Sequence, residues 1–153
     1  MKHRISAGAF VLDQDRILLV RHKKEGSYDF WVAPGGGVIG TESLLQAAKR
    51  EVKEETGIDV EPLRPVCMEE FYDPKTRHIK TWVLCKLEGG CLSVEADEAV
   101  QEHIVEARFF SEEEIKKERM DVYPAFIRTK IWEDLAFSQQ NIEHIGIHEA
   151  KYF

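Results

Sequence analysis

The sequence predicts an α+β domain in which a few helices layer onto a mixed, strand-rich sheet. Three observations carry this. Runs of β-branched and aromatic residues, cut by turn residues, recur along most of the 153-residue chain. One long stretch, Glu42–Thr56, switches to helical periodicity between recognisable end signals. The composition, 43% hydrophobic and 32% charged with eight Phe, four Tyr and three Trp, belongs to a core-forming domain and excludes disorder. At this length one domain spanning residues 1–153 with one hydrophobic core is expected.

Ile5–Leu12 and Arg16–His22 read as strands on either side of the turn residues Asp13-Gln14-Asp15. The second is almost continuously apolar, as in a strand buried on both faces. Lys23–Asp29 is polar and reads as a loop. Trp31–Ala33 is a short strand stopped by Pro34 and three glycines. The helix Glu42–Thr56 takes Thr41 as its N-cap and Gly57 as the residue just past its end. Val66–Tyr72 and His78–Leu87 are two further strands joined by an Asp73-Pro74-Lys75 turn, with Gly89-Gly90 breaking the second. Ala107–Phe110 leads into Ser111, where Ser-Glu-Glu-Glu is a capping-box signature for a short helix. Pro124 suits the first position of a last helix reaching Phe137. Gln139–Phe153 has weak periodicity and is left unassigned.

Charge excludes several function classes. With 21 basic against 28 acidic residues the chain carries a net −7 and a pI near 5.4. Nucleic-acid binding needs a basic footprint that is not there, so no nucleic-acid partner is expected. No apolar run approaches the length of a membrane span, and no membrane partner is expected. Lys2 and Arg4 precede an apolar stretch, but Asp13 and Asp15 cut it short, which argues against a signal peptide. Cys67, Cys85 and Cys91 are odd in number and lack C-x-x-C spacing, pointing to reduced thiols in a cytoplasmic protein.

The chemistry concentrates in Glu42–Thr56. Glu51, Glu54 and Glu55 stand at i, i+3 and i+4 and share one helix face. Leu45, Ala48 and Val52 form a separate apolar stripe, and Lys49 and Lys53 lie on a third face. The carboxylates therefore flank the core-facing stripe, away from the lysines. Like charges this close repel unless a cation intervenes, and oxygen ligands without imidazole or thiolate specify a hard ion, Mg²⁺ or Mn²⁺.

A glutamate-rich helix alone is more often a solvated face than a metal site. The flanking residues decide otherwise. Gly36, Glu42 and the run Arg50-Glu51-Val52-Lys53-Glu54-Glu55-Thr56-Gly57-Ile58 are spaced so that the segment resembles the Nudix box of the Nudix hydrolase family at every defining position. Residue usage alone would produce that coincidence in roughly one random start in a billion, which removes chance as an explanation. Trp31-Val32-Ala33-Pro34-Gly35-Gly36-Gly37 is similar to the approach strand and glycine turn of the family. The likeness covers most of the chain up to about Phe137. Members often carry Glu where Ile39 stands and Gly where Thr41 stands, so the loop before the helix is expected to differ, with Gly40 supplying the freedom.

The resemblance implies an αβα sandwich with a mixed sheet, and metal-dependent hydrolysis of a nucleoside diphosphate linked to another group. It implies Glu51, Glu54 and Glu55 as metal-binding carboxylates and the Gly35 carbonyl as a backbone ligand. Arg50 would orient the catalytic glutamate, and Glu42, Gly36 and Gly57 would serve structurally. Within that set, Glu54 and Glu55 are assigned as main ligands and Glu51 as ligand or base. Many members add a later acidic residue. Glu102, seven residues before Phe109, stands about where the family places it, with Glu98 close behind.

Substrate identity is less sharply encoded. A proline about fifteen or sixteen residues past the box goes with ADP-ribose hydrolysis in the family, and Pro74 is sixteen beyond Ile58. Tyr72 and Phe71 offer rings to stack a base, yet they alternate at strand spacing, so at least one belongs to the core. Trp31 and Trp82 raise the same choice. Trp31, Tyr72 and Pro74 are the candidate substrate contacts. Six histidines, among them His22, His78 and His103, show no ligand spacing and are expected at the surface or in support. The partner expected is a small nucleoside diphosphate derivative, ADP-ribose or another nucleotide sugar. The alternative is a nucleoside triphosphate, such as oxidised dGTP. A non-catalytic nucleotide sensor would be expected to have lost a box glutamate, and none is lost. Whether the chain pairs as a homodimer is left open.

Overall fold

The structure, a computed structural model, describes residues 1–136 and 143–151. Its elements in chain order are β1 (Lys2–Asp13), β2 (Arg16–Lys24), β3 (Tyr28–Val32), β4 (Gly35–Gly37), α1 (Leu44–Thr56), β5 (Ile58–Tyr72), β6 (Thr76–Gly90), α2 (Asp97–Gln101), β7 (Ile104–Ser111), α3 (Glu112–Lys117), β8 (Val122–Tyr123), a 3-10 turn (Ala125–Arg128), α4 (Ile131–Ala136) and β9 (Glu143–Glu149). The strands form one mixed sheet in the order β8-β3-β2-β1-β6-β5-β9, with β4 added on β1 and β7 on β2. β1 is the spine. It runs parallel to β6 from Lys2 opposite Thr76 to Leu12 opposite Lys86, and its other side takes β4 and the start of β2.

Alternation along β1 divides the core in two. Ala7, Ala9 and Val11 face α1 and pack with Ala47, Ala48, Val52, Val83 and Cys85. Phe10 faces the other way, stacked on Trp82 with ring centroids 5.0 Å apart, among Trp31, Phe110, Ile115 and Ile131. Helices therefore cover both faces, which is the layered α+β arrangement expected. Ile17, Leu18, Leu19 and Val20 of β2 are all fully buried, with Leu18 in the α1 layer and Ile17 and Leu19 in the other. Among the described residues no helix is long and apolar enough to cross a membrane.

Several boundaries differ from the expectation. β5 begins at Ile58, directly after α1, rather than at Val66. Pro62 and Pro65 cannot donate to a ladder, and the register against β6 shifts next to both of them. Gly89 and Gly90 pair with Asp59 and Ile58 instead of breaking β6. The polar 23–29 stretch is largely strand, because Arg21 clamps Asp29 with two 2.7 Å bonds across the β2–β3 hairpin. The helix N-cap is Ser43, not Thr41: Ser43 and Gln46 exchange the two bonds of a capping box. Pro124 precedes a 3-10 turn and a separate short α4 rather than one continuous helix. There Arg128 fastens the turn to the carbonyls of Ile115, Glu118 and Met120 at 2.6, 2.9 and 2.8 Å. Position 137, the expected helix end, lies outside the described residues. Within the unassigned tail, β9 runs parallel to β5. The Ser111 capping box is present as expected, with Glu114 as its partner.

Gly57 closes α1 at φ 74°, its N–H bonded to the Lys53 carbonyl. A Cβ there would stand 2.8 Å from the Cys91 carbonyl oxygen. Ser43→Ala, which removes one cap bond, should cost about 1 kcal/mol. Gly57→Ala adds a left-handed-backbone penalty to a backbone clash and should cost more. Urea denaturation of the two variants beside wild type checks the order, and a Gly57→Ala protein as stable as wild type would contradict the account.

Candidate active site

The site grows from α1. Ala47, Ala48 and Val52 draw the helix onto β1, and Glu51 and Glu55 go inward with them, at 6% and 2% exposure. Glu54, with a side chain 30% exposed, stays at the rim. The glycine strand β4 makes room for this. A Cβ on Gly36 would overlap the Glu51 carboxylate, so glycine there leaves the carboxylate room against the strand. The Gly35 N–H donates to Glu55 Oε2 at 3.3 Å. Gly35 thus meets the cluster through its amide.

Glu102 arrives from the far end of the sequence. It caps α2, a short helix that sequence patterning did not reveal. His22 Nδ1 lies 3.0 Å from the Glu102 carbonyl oxygen and donates to it as a neutral ring. The His22 ring is buried and stacked on Phe30 at 5.3 Å. Desolvation lowers its pKa to about 4, against a smaller opposing effect of the Glu102 bond. Although Glu102 is exposed as a residue, its carboxyl turns inward. One oxygen each from Glu51, Glu55 and Glu102 lies within 4.8 Å of the others. Glu98, the rival candidate, is not in this group.

These carboxylates disfavour one another. Burial first, then the charges of Glu102 and Glu51, raise the Glu55 carboxyl well above the ordinary carboxylate range. Burial also raises Glu51, against the lowering effect of its Arg50 hydrogen bond. Glu102 is raised by burial too, with Arg4 and Lys80 opposing. Glu55 Oε1 is buried without a hydrogen-bond partner. Buried polar atoms are rarely left so, and an oxygen-only donor set with one vacant oxygen fits a hard divalent ion, Mg²⁺ or Mn²⁺.

Arg50 organises the flank. Its Nε and Nη2 grip Glu42 at 3.0 and 2.6 Å, its Nη1 reaches Glu51 at 2.8 Å and Glu54 at 3.0 Å, and Nη2 also binds the Gly37 carbonyl at 2.9 Å. The Arg50 hydrogen bonds hold Glu42 below its usual range. Glu42 Oε1 in turn accepts from the Ile39 N–H at 2.8 Å, fixing the loop in which Gly40 adopts φ 56°. Glu54 is thereby tied to Arg50 and lies outside the three-oxygen group.

The proposed substrate contacts are not gathered here. Trp31 is 2% exposed and packs edge-on against Phe110 at 4.8 Å, so it is a core residue without a face for a base. Pro74 is exposed in the β5–β6 turn, where Asp73 Oδ1 accepts from the amides of Lys75 and Thr76. Tyr72 lies opposite Arg77, while Phe71 lies opposite His78 and stacks on it at 4.5 Å. Strand alternation therefore puts Phe71, not Tyr72, on the sheet face shared with Lys80 and Trp82. His22, expected at the surface or in support, is buried and supports Glu102 from eighty positions away, whereas Lys80, whose charge acts on Glu55 and Glu51, was missed. Only the even spacing of His78, Lys80 and Trp82 hinted at it.

Comparison with known proteins bears on this arrangement. A family model described as NUDIX domain matches residues 2–128. The 8-oxo-dGDP phosphatase NUDT18 of Danio rerio is 33% identical over 100 residues, 63% of this chain and 30% of that protein. Nudix hydrolase 5 of Arabidopsis thaliana is 33% identical over 101 residues, 63% of this chain and 33% of that protein. The chain thus spans about a third of the length of these curated relatives. A NUDIX hydrolase structure from Nitrosomonas europaea aligns over 98% of this chain and 81% of its own, with a TM-score of 0.76 at 20% identity. An ADP-ribose pyrophosphatase from Streptococcus suis 89-1591 covers 92% and 98%, with a TM-score of 0.63 at 24% identity. At those identities the two structures speak for the fold. The family model takes in the glycine strand, α1 and Glu102 alike, and the chain belongs to the NUDIX domain family.

Proposed function

We propose that the protein is a divalent-metal-dependent pyrophosphohydrolase that cleaves a phosphoanhydride bond in a nucleoside diphosphate derivative. The observation that carries this is the meeting of Glu51, Glu55 and Glu102 within 4.8 Å, with Glu55 Oε1 left buried and unpartnered. Glu51, Glu55 and Glu102 would hold the ion, Mg²⁺ or Mn²⁺. When bound it supplies neutralisation of phosphate charge and a lowered pKa for water. The chain's own residues do the rest. Arg50 fixes the orientation of Glu51 and Glu54 through one nitrogen, and the proton leaving the attacking water passes to one of these two carboxylates. Gly36 keeps the glycine strand close enough for Glu51 to remain in the cluster.

The name of one similar protein favours a diphosphate. NUDT18 of Danio rerio carries the name of an 8-oxo-dGDP phosphatase, a protein acting on a nucleoside diphosphate. ADP-ribose and an oxidised purine nucleoside diphosphate are the first compounds to assay, beside dNTPs. A panel with Mg²⁺, run in ¹⁸O-labelled water, should place label in a phosphate product. Release of pyrophosphate from a triphosphate at the highest kcat/KM would replace the diphosphate by a triphosphate, and label on a sugar carbon would overturn the reaction class.

Glu55→Gln removes a charge from the middle of the cluster while keeping its size. Turnover should fall by orders of magnitude, and the metal-free variant should melt at or above the wild-type temperature because repulsion is relieved. Wild-type rates in Glu55→Gln at limiting Mg²⁺ would refute the ligand assignment. Arg50→Lys loses the planar fork that grips three carboxylates and should lower kcat more than it raises KM. Unchanged kcat across a Mg²⁺ titration would count against that role.

The raised carboxyls set a pH signature. Groups with folded pKa values above their unfolded ones bind more protons in the native state, so stability falls as pH rises from the ordinary carboxylate range through their higher values. Metal-free protein should therefore melt lower at pH 7 than at pH 5 as far as these groups are concerned, and Mg²⁺ should raise the pH 7 melting temperature most. Thermal melts in EDTA and in Mg²⁺ check both, and no Mg²⁺ effect at pH 7 would argue against a metal site.

A further inference from the structure

Lys80 is a cation whose position the carboxylate cluster alone does not explain. It lies on β6 opposite Ser6 of β1 and Glu69 of β5, with its stem running past Gly8, where a Cβ would stand 2.9 Å from its Cε. Its Nζ sits 4.4 Å from the centre of the Trp82 ring. The Trp82 indole N–H donates to Glu69 Oε1 at 3.2 Å, so Glu69 holds the ring that holds the ammonium. Glu69, Glu55 and Glu51 all attract this charge, yet among the described residues it makes no direct ion pair. An ammonium has three donors and no acceptor, and an aromatic face engages its charge without supplying an oxygen. Desolvating such a group is costly unless oxygen acceptors complete it.

We infer that Lys80 anchors the substrate's phosphate, its ammonium donating to a non-bridging phosphate oxygen beside the Glu51, Glu55 and Glu102 carboxylates. This rests on the pyrophosphohydrolase reading and names the residue that grips the charged part of the substrate. The competing role is an internal counter-ion for Glu55 and Glu51. The two differ in what removal does: a counter-ion stabilises the metal-free fold and opposes metal binding, whereas an anchor binds phosphate.

The test is calorimetric binding of α,β-methylene-ADP, a non-hydrolysable diphosphate, to wild type, Lys80→Met and Lys80→Arg in Mg²⁺, with Mn²⁺ affinity measured separately without nucleotide. Lys80→Met keeps the apolar stem over Trp82 and should weaken the probe about tenfold or more, the scale of a charged hydrogen bond. Lys80→Arg should restore most of that affinity. With hydrolysable substrate, KM should rise more than kcat falls, and Mn²⁺ affinity should not fall. If the methionine variant does not fold, Lys80→Gln carries the same expectation. Folded variants that bind the probe like wild type overturn the inference and leave the enzyme reading standing. So does Mn²⁺ affinity that falls in step with probe affinity. A wild type that neither binds the probe nor hydrolyses any diphosphate removes the enzyme reading and the inference together.

Discussion

Two buried carboxylates, Glu51 and Glu55, met in one corner by a third from the exposed Glu102, repel each other strongly, because a low local dielectric magnifies every unit of charge. The rest of the site is arranged around that repulsion. Arg50 spends its guanidinium on Glu42, Glu51, Glu54 and the Gly37 carbonyl. Lys80 adds a second positive charge, attracted by Glu55 and Glu51. Even so Glu55 keeps an oxygen with no partner. On the function proposed above, that oxygen is the one a divalent ion would complete.

Such a corner holds together because its three parts are fastened elsewhere. α1 is anchored by its apolar face against Ala7, Ala9 and Val83 and closed at both ends by caps. The glycine strand is pinned to β1 across Ser6, Ala7 and Gly8, with the Val38 N–H bonded to the Ile5 carbonyl at 3.1 Å on one side and the Ala9 N–H to the Pro34 carbonyl at 2.9 Å on the other. Glu102 depends on a buried, neutral His22 and on the bond from the Lys23 amide to the His103 carbonyl. The elements that carry the carboxylates are thus held by contacts outside the charged groups, Arg50 then orients Glu51, and apolar packing on both faces of the sheet opposes the repulsion.

Much of this was legible locally. The C-terminal end of α1, its terminal Gly57 and the separation of the glutamates from Leu45, Ala48 and Val52 follow from a 3.6-residue period and a left-handed cap, interactions that span a few residues. The same holds for the β1–β2 hairpin and the Ser111 cap. The box spacing carried the family, and the family carried the layered fold. Local signals misled where a distant partner overrode them. A strand was expected only from Val66, but a long antiparallel partner accepts Pro62 and Pro65 at register shifts. Pro124 suggested a helix start, but Arg128 ties that segment to carbonyls of the preceding turn.

The sequence by itself determined that Glu51, Glu54 and Glu55 share a helix face beside an apolar stripe. Only the tertiary structure decided which of them converge. A helical wheel gives angles about one axis, and Glu51, Glu54 and Glu55 are equivalent neighbours on it until β4 and Glu102 arrive. Gly36 receives Glu51, the Gly35 amide meets Glu55, and Glu54 is left with Arg50. Trp31 and Tyr72 were aromatic candidates in the chain, but Trp31 is buried in β3 and the register against β6 puts Phe71, not Tyr72, on the face that carries Lys80 and Trp82. Contacts between residues tens of positions apart depend on strand register, and register is a property of the assembled sheet rather than of any segment in it.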